Sequence, residues 1–166
     1  MKTPVFCIVG RSNTGKTTLI ERLIPYFKSR GMSVGTIKHH NRPFEMDRKG
    51  KDTYRHKKAG AKAAMIVSER KLGLVRDLDR EMSIDELVAR YMDDVDLVIV
   101  EGYKQEPLPK IEVYNYRETV PPIAAEDELL VAIVSDAPIP APVPVFLRDD
   151  VHAIAAFIMQ RFDLGG

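Results

Sequence analysis

Gly10-Arg11-Ser12-Asn13-Thr14-Gly15-Lys16-Thr17 matches the phosphate-loop pattern G-x-x-x-x-G-K-[ST] at every fixed position. It follows an apolar run, Val5-Phe6-Cys7-Ile8-Val9, and precedes a helical pattern with Leu19, Ile20, Leu23, Ile24 and Phe27 on one face. Strand, glycine-bearing turn and helix in that order are what a phosphate cradle requires. Gly10 and Gly15 allow backbone conformations that a side chain would obstruct, so the N–H groups of Asn13–Thr18 can point at phosphate oxygens. The helix start adds unpaired N–H groups and partial positive charge. Lys16 supplies a cation to the outer phosphates, and the Thr17 hydroxyl is placed to ligate Mg2+. The candidate nucleotide contacts are therefore Gly10, Asn13, Thr14, Gly15, Lys16, Thr17 and Thr18, and the ligand class is a nucleoside triphosphate.

The rest of the chain fits one α/β domain over 1–166. A length of 166 residues suits a single core. A hydrophobic share of 45% against 30% charged is ordinary for a globular protein. The formal net charge of +1 gives no electrostatic case for nucleic-acid binding. No apolar run approaches a membrane span and no secretory pattern opens the chain, so a cytoplasmic setting is expected. The single cysteine, Cys7, lies inside the first apolar run and reads as a packed small hydrophobe.

Strand and helix signals alternate. Gly31 stops the first helix, in which Pro25 implies a kink or a division into two pieces. Ser33–Lys38 reads as a second strand, and 39–51 as a long polar loop. Asp52–Ala59 reads as a short helix, and Ala63–Ser68 with Lys71–Val75 as a hairpin turning at Glu69-Arg70. Ser83 and Glu86 have capping-box spacing, opening a helix through Tyr91. Leu97–Val100 is a continuous apolar run of the kind buried in a parallel sheet. Lys110–Tyr114, Leu130–Val134 and Val143–Phe146 are further strands. Pro138, Pro140, Pro142 and Pro144 make 137–144 an extended connector. Asp149 and Asp150 precede a terminal helix with Ile154, Phe157, Ile158 and Phe162 on its apolar face. The predicted class is a P-loop NTPase-type three-layer α/β fold with a mostly parallel sheet and an added hairpin.

Three further positions carry chemistry. Leu97–Val100 ends at Glu101-Gly102, and ligands of open parallel sheets bind at the C-terminal strand ends, so Glu101 rather than Asp96 is the metal-side acid. In the loop after the second strand, Asp52 or Asp47 is a candidate extra Mg2+ ligand or water-orienting acid. His39-His40 lacks the partners of a zinc pattern. Asp136, which follows the Leu130–Val134 strand and Ser135, is placed either to accept from a guanine base or to start the Pro-rich turn. The guanine-reading tetrapeptide N-K-x-D is absent, so base preference is not read from the residues. None of them identifies itself as a strong water-orienting base, and the catalytic residues stay unknown.

With these segments together, the chain resembles the MobB family, the nucleotide-binding adaptor of molybdopterin-guanine dinucleotide synthesis. The likeness rests on the 10–18 loop, Gly35-Thr36-Ile37-Lys38-His39-His40, Gly50-Lys51-Asp52-Thr53 with Ala59-Gly60-Ala61, Glu101-Gly102-Tyr103-Lys104, and Pro109-Lys110-Ile111-Glu112. It implies GTP as nucleotide with at most slow hydrolysis, a homodimer, and partnership with the molybdenum cofactor guanylyltransferase. By wider likeness to dethiobiotin synthetase-like proteins it favours Asp52 over Asp47 beside Mg2+. Arg11 stands where such relatives often carry lysine, so a lysine reaching across a dimer is not carried over. A different class, a small-molecule kinase or ligase with its acceptor near the 39–51 loop, uses the same cradle and stays open.

Overall fold

The computed structural model describes residues 3–40, 42–117 and 120–164. The chain forms two compact units, one of 1–39 with 88–166 and one of 40–87. The first holds a six-stranded parallel sheet in the order β2-β5-β1-β6-β7-β8. Its strands are β1 (Val5–Val9), β2 (Val34–Lys38), β5 (Leu97–Glu101), β6 (Lys110–Tyr114), β7 (Leu130–Ser135) and β8 (Val145–Leu147). The second holds α2 (Asp52–Lys58) and the antiparallel hairpin of β3 (Ala63–Ser68) and β4 (Lys71–Arg76). Helix α3 (Ile84–Tyr91) carries the chain from one unit into the next.

β1 and the first four residues of β5 are buried throughout, because they run in the interior of a sheet covered by helices. Phe6, Ile8, Leu97 and Ile99 pack with Leu19, Leu23 and Phe27 of α1 (Lys16–Ser29) and with Ile154 and Ile158 of α4 (Val151–Arg161). Burying each such side chain stabilises the fold by about 1.5–3 kcal/mol before conformational entropy is subtracted. Cys7 is fully buried in β1, and burial pushes its thiol up to about 12. It packs as the small hydrophobe expected.

Helix α1 is one continuous helix, not two pieces. Pro25 faces solvent, where water can satisfy the carbonyl its ring leaves unbonded. The Ser83–Glu86 capping box forms, with Glu86 N donating to Ser83 Oγ (3.2 Å) and Ser83 N to the Glu86 carboxylate (2.9 Å). Asp150 caps α4 by accepting from Ala153 N at 3.0 Å. The last strand starts after Pro144 rather than at Val143: the Pro144 carbonyl joins the ladder by accepting from Ile133 N, but proline has no N–H to donate. The 137–144 stretch forms no strand, as its prolines dictate.

Candidate functional site

The 10–15 turn leaves the C-terminal end of β1 and feeds α1, whose N-cap is Gly15. Gly10 has φ +143°, and a Cβ there would lie 2.4 Å from the Val113 carbonyl oxygen of β6 and 2.9 Å from Thr14 Oγ1. Gly15 has φ +93°, and Asn13 is left-handed at φ +63°, a conformation asparagine tolerates. Left-handed residues set between ordinary ones turn successive backbone N–H groups toward one concavity. Thr14 is buried and its hydroxyl donates to the Arg11 carbonyl at 3.0 Å, which braces the turn from inside.

A cavity of about 540 Å3 opens over this turn, within the usual range for a small-molecule site. Asn13, Gly15, Lys16, Thr17 and Thr18 line it together with Lys38 and Glu101. Lys16 Nζ donates to the carbonyls of Arg11 and, at 3.2 Å, Gly10, which keeps the ammonium at the mouth of the loop. Burial lowers the Lys16 pKa, and the nearby Glu101 charge works against that shift.

Parallel registry explains why the metal-side residues meet. Ile8 and Lys38 both pair with Glu101 across the ladder, so β1, β2 and β5 end together. Thr17 Oγ1 stands 3.1 and 3.2 Å from the two Glu101 oxygens, and Lys38 Nζ stands 3.3 Å from Oε1. The Glu101 side chain is only 14% exposed. A hydroxyl and a half-sequestered carboxylate beside a phosphate cradle form an oxygen donor set of the type Mg2+ takes. These residues fit a Mg2+·triphosphate. Asp96, by contrast, sits at the start of β5 and accepts from both N and Oγ of Ser33 at 2.7 Å. It ties the β2 and β5 starts.

Asp52 is the first residue of α2 in the other unit, where it stands 3.7 Å from Arg55. Asp47 belongs to the same unit. Asp136 lies just beyond β7, outside the cavity lining, with Oδ1 accepting from Tyr116 N at 2.7 Å. That backbone bond holds its carboxyl below the usual range. Among the described residues no group of three or more His, Cys, Asp and Glu is arranged to hold a metal by itself.

Sequence reasoning passed over several polar groups. Arg148, after β8, donates from Nη2 to Asn115 Oδ1 at 2.7 Å and to the Tyr114 carbonyl at 3.2 Å. Its Nη1 lies 3.1 Å from where a Gly15 Cβ would stand, and its Nε is buried without a hydrogen bond. Lys110 is 2% exposed and pairs with Asp127 at 2.9 Å. Buried Glu112 accepts from Ile123 N and Ala124 N at 2.7 and 2.8 Å, and burial raises its pKa. A lysine and a glutamate inside the strand pattern Lys-Ile-Glu-Val-Tyr were a legible signal, since buried charges must find partners. Nothing local to Arg148 marked its contact with a loop so distant in sequence.

The family model described as "Molybdopterin guanine dinucleotide synthesis protein B" matches residues 5–136. The molybdopterin-guanine dinucleotide biosynthesis adapter protein of Haemophilus influenzae is 33% identical over 156 residues, spanning 93% of this chain and 87% of that one. Its counterpart from Escherichia coli is 33% identical over 164 residues, spanning 95% and 92%. Among solved structures, a molybdopterin-guanine biosynthesis protein B superposes with TM-score 0.77 at 31% identity, covering 96% and 99% of the two chains. The Bacillus subtilis MobB structure superposes with TM-score 0.75 at 26% identity, covering 96% and 98%.

Proposed function

The chain belongs to the MobB family, and from that membership we propose that it is a GTP-binding adaptor of molybdopterin-guanine dinucleotide biosynthesis. In this reading it assists a guanylyltransferase that attaches GMP to molybdopterin. The observation that carries the nucleotide part is that Asn13, Gly15, Lys16, Thr17 and Thr18 of the loop line one cavity with Glu101, which stands 3.1 Å from Thr17 Oγ1. Phosphates would lie against the N–H groups of 13–18 with Lys16 at the outer oxygens. Thr17 and Glu101 would hold Mg2+, which supplies charge neutralisation when bound, with Asp52 the proposed additional acid. Lys38, already beside Glu101, adds a second cation to the same cavity.

Hydrolysis in such a site is phosphoryl transfer to water, in which the protein mainly positions groups and neutralises charge. Among the described residues that line the cavity, Glu101 is the one acid, and it is engaged by Thr17 and Lys38. That supports slow turnover at most. The whole of 1–166 acts here as one nucleotide-binding domain, working in the cytoplasm as a homodimer. In the described chain no helix is long and apolar enough to cross a membrane.

The test is dinucleotide formation by the purified guanylyltransferase from molybdopterin and GTP, with and without this chain, alongside phosphate release from GTP and ATP. The proposal expects stimulation by the wild type, none by Lys16→Ala, and phosphate release far below dinucleotide formation. Equal stimulation by Lys16→Ala would remove the nucleotide from the adaptor role. Rapid phosphate transfer to a metabolite would favour the kinase reading instead.

A further inference from the structure

Among the described residues, Tyr103 is the one aromatic residue with a left-handed backbone, at φ +58°. A bulky side chain crowds its own main chain there, so the conformation persists only where its surroundings hold it. Gly102 before it has φ +94°, and the pair turns the chain sharply just after Glu101. What holds the turn comes from β2. His39 follows Lys38, and its ring stacks on that of Tyr103 with centroids 3.8 Å apart and planes tilted by 34°. Gly102 lies against the same residue, since a Cβ there would stand 3.7 Å from the His39 carbonyl oxygen and 3.8 Å from its Cβ. Two backbone bonds close the ladders at this point. His39 N donates to the Glu101 carbonyl at 3.1 Å, and Gly102 N donates to the Ile8 carbonyl at 3.0 Å. Glu101 thus ends its strand between β1 and β2, with Ile8 and Lys38 as its register partners.

We propose that the His39–Tyr103 stack is a clamp that fixes the Glu101 carboxylate toward Thr17 and so presets this oxygen pair for Mg2+. The inference rests on the reading of the cavity as a Mg2+·triphosphate site. Neither ring is among the groups that line the cavity, so both are positioning residues that act through Glu101. Ladder bonds at a strand end open most easily, because no further rung lies beyond them. Left-handed strain at Tyr103 favours opening, and the ring contact opposes it with a free energy of the same order. Once the ring is gone, the 102–103 turn relaxes, the two closing bonds loosen, and the carboxylate samples directions away from Thr17. A ligand that must be reordered as the metal binds costs affinity that a preset one does not. His39 works here as a flat ring rather than as a metal ligand.

Calorimetric titration of GTP into the full chain, with Mg2+ and with chelator, tests this, together with NMR exchange of the Gly102 and His39 amide protons in metal-free protein. Tyr103→Gly takes up the left-handed backbone without strain, so it should melt as wild type does. It should nonetheless lose about tenfold in GTP affinity with Mg2+, the lower end of what removing a group behind a metal ligand costs, and nothing with chelator. His39→Ala should lose as much, and the double variant no more than either alone, because the two rings act as one contact. Tyr103→Phe keeps the ring and should restore the Mg2+-dependent affinity. Both amides should exchange about threefold to tenfold faster in Tyr103→Gly than in Tyr103→Phe. Should Tyr103→Gly melt lower than wild type, His39→Ala decides by the same ratio of affinities. A wild-type ratio in both single variants, additive losses in the double variant, or unchanged amide exchange overturns the clamp while the phosphate site stands. Equal wild-type affinity for GTP with Mg2+ and with chelator overturns the metal reading, and the clamp with it.

Discussion

Replacing Glu101 by glutamine separates what this residue does for the fold from what it does for the metal. In the protein alone its carboxylate accepts from Thr17 Oγ1 and pairs with Lys38. Glutamine keeps an oxygen for Thr17, and Lys38 is 62% exposed, so the lost ion pair is worth about 0–1 kcal/mol. Urea unfolding should therefore shift by no more than about 1 kcal/mol. Beside a divalent ion the lost charge matters far more. Two unit charges about 4 Å apart attract by about 4 kcal/mol at an effective dielectric constant of about 20. Sharing of the metal charge with phosphates and water reduces that to an expected loss of about 1.5–3 kcal/mol, or about 10–100-fold in affinity. The assay is GTP titration by calorimetry, once with saturating Mg2+ and once with chelator. Affinity should fall in the first and hold or rise in the second, because the substitution removes a negative charge near the triphosphate. An equal loss under both conditions would refute the metal role.

Four further outcomes follow from particular contacts. Gly10→Ala places a Cβ 2.4 Å from the Val113 carbonyl at φ +143°, so it should destabilise by about 2–4 kcal/mol in urea unfolding, whereas Gly31→Ala, with nothing within 4 Å, should cost about 1 kcal/mol. Asp52→Asn should weaken GTP binding only when Mg2+ is present, and an unchanged titration would remove Asp52 from the metal. Arg80 and the Ser83 backbone N–H hold the Glu86 carboxyl down at about 2, so its contribution is complete above its ordinary value of 4.5 and is lost as pH falls toward 2. Circular dichroism melts of wild type should drop over that window, and Glu86→Gln should flatten the drop. Cys7, buried in β1 with its thiol pushed up to about 12, should resist a thiol reagent until the chain unfolds. Labelling of the native protein within seconds would contradict its packing.

The parts of this molecule that can be read from sequence are those in which neighbours along the chain are neighbours in space. The 10–17 turn, its strand and its helix occupy adjacent residues, and their arrangement follows from local backbone geometry. The position of Glu101 at the C-terminal end of β5, beside Thr17, was also legible, because Leu97–Val100 reads as one apolar strand with Asp96 at its start. The hairpin and capping box came from turn and cap chemistry. Boundaries slipped where proline changes the hydrogen-bond count, as at Pro144 before β8. The link from Arg148 to Gly15 and Asn115 depends on strand order, which no local pattern encodes. Likewise, the partners of Lys110 and Glu112 come from a later loop, so only the need for a partner was visible.

The central claim is that Gly10–Thr18 grips the triphosphate of GTP, and Lys16 tests it most directly. Its ammonium sits at the mouth of the loop against the Gly10 and Arg11 carbonyls, so Lys16→Ala removes a cation without removing a core side chain. GTP titrated calorimetrically into wild type and Lys16→Ala, both shown folded by their melts, should reveal an affinity loss of about 100-fold or more, equivalent to about 2.7 kcal/mol. Equal affinity in the two proteins would contradict the account.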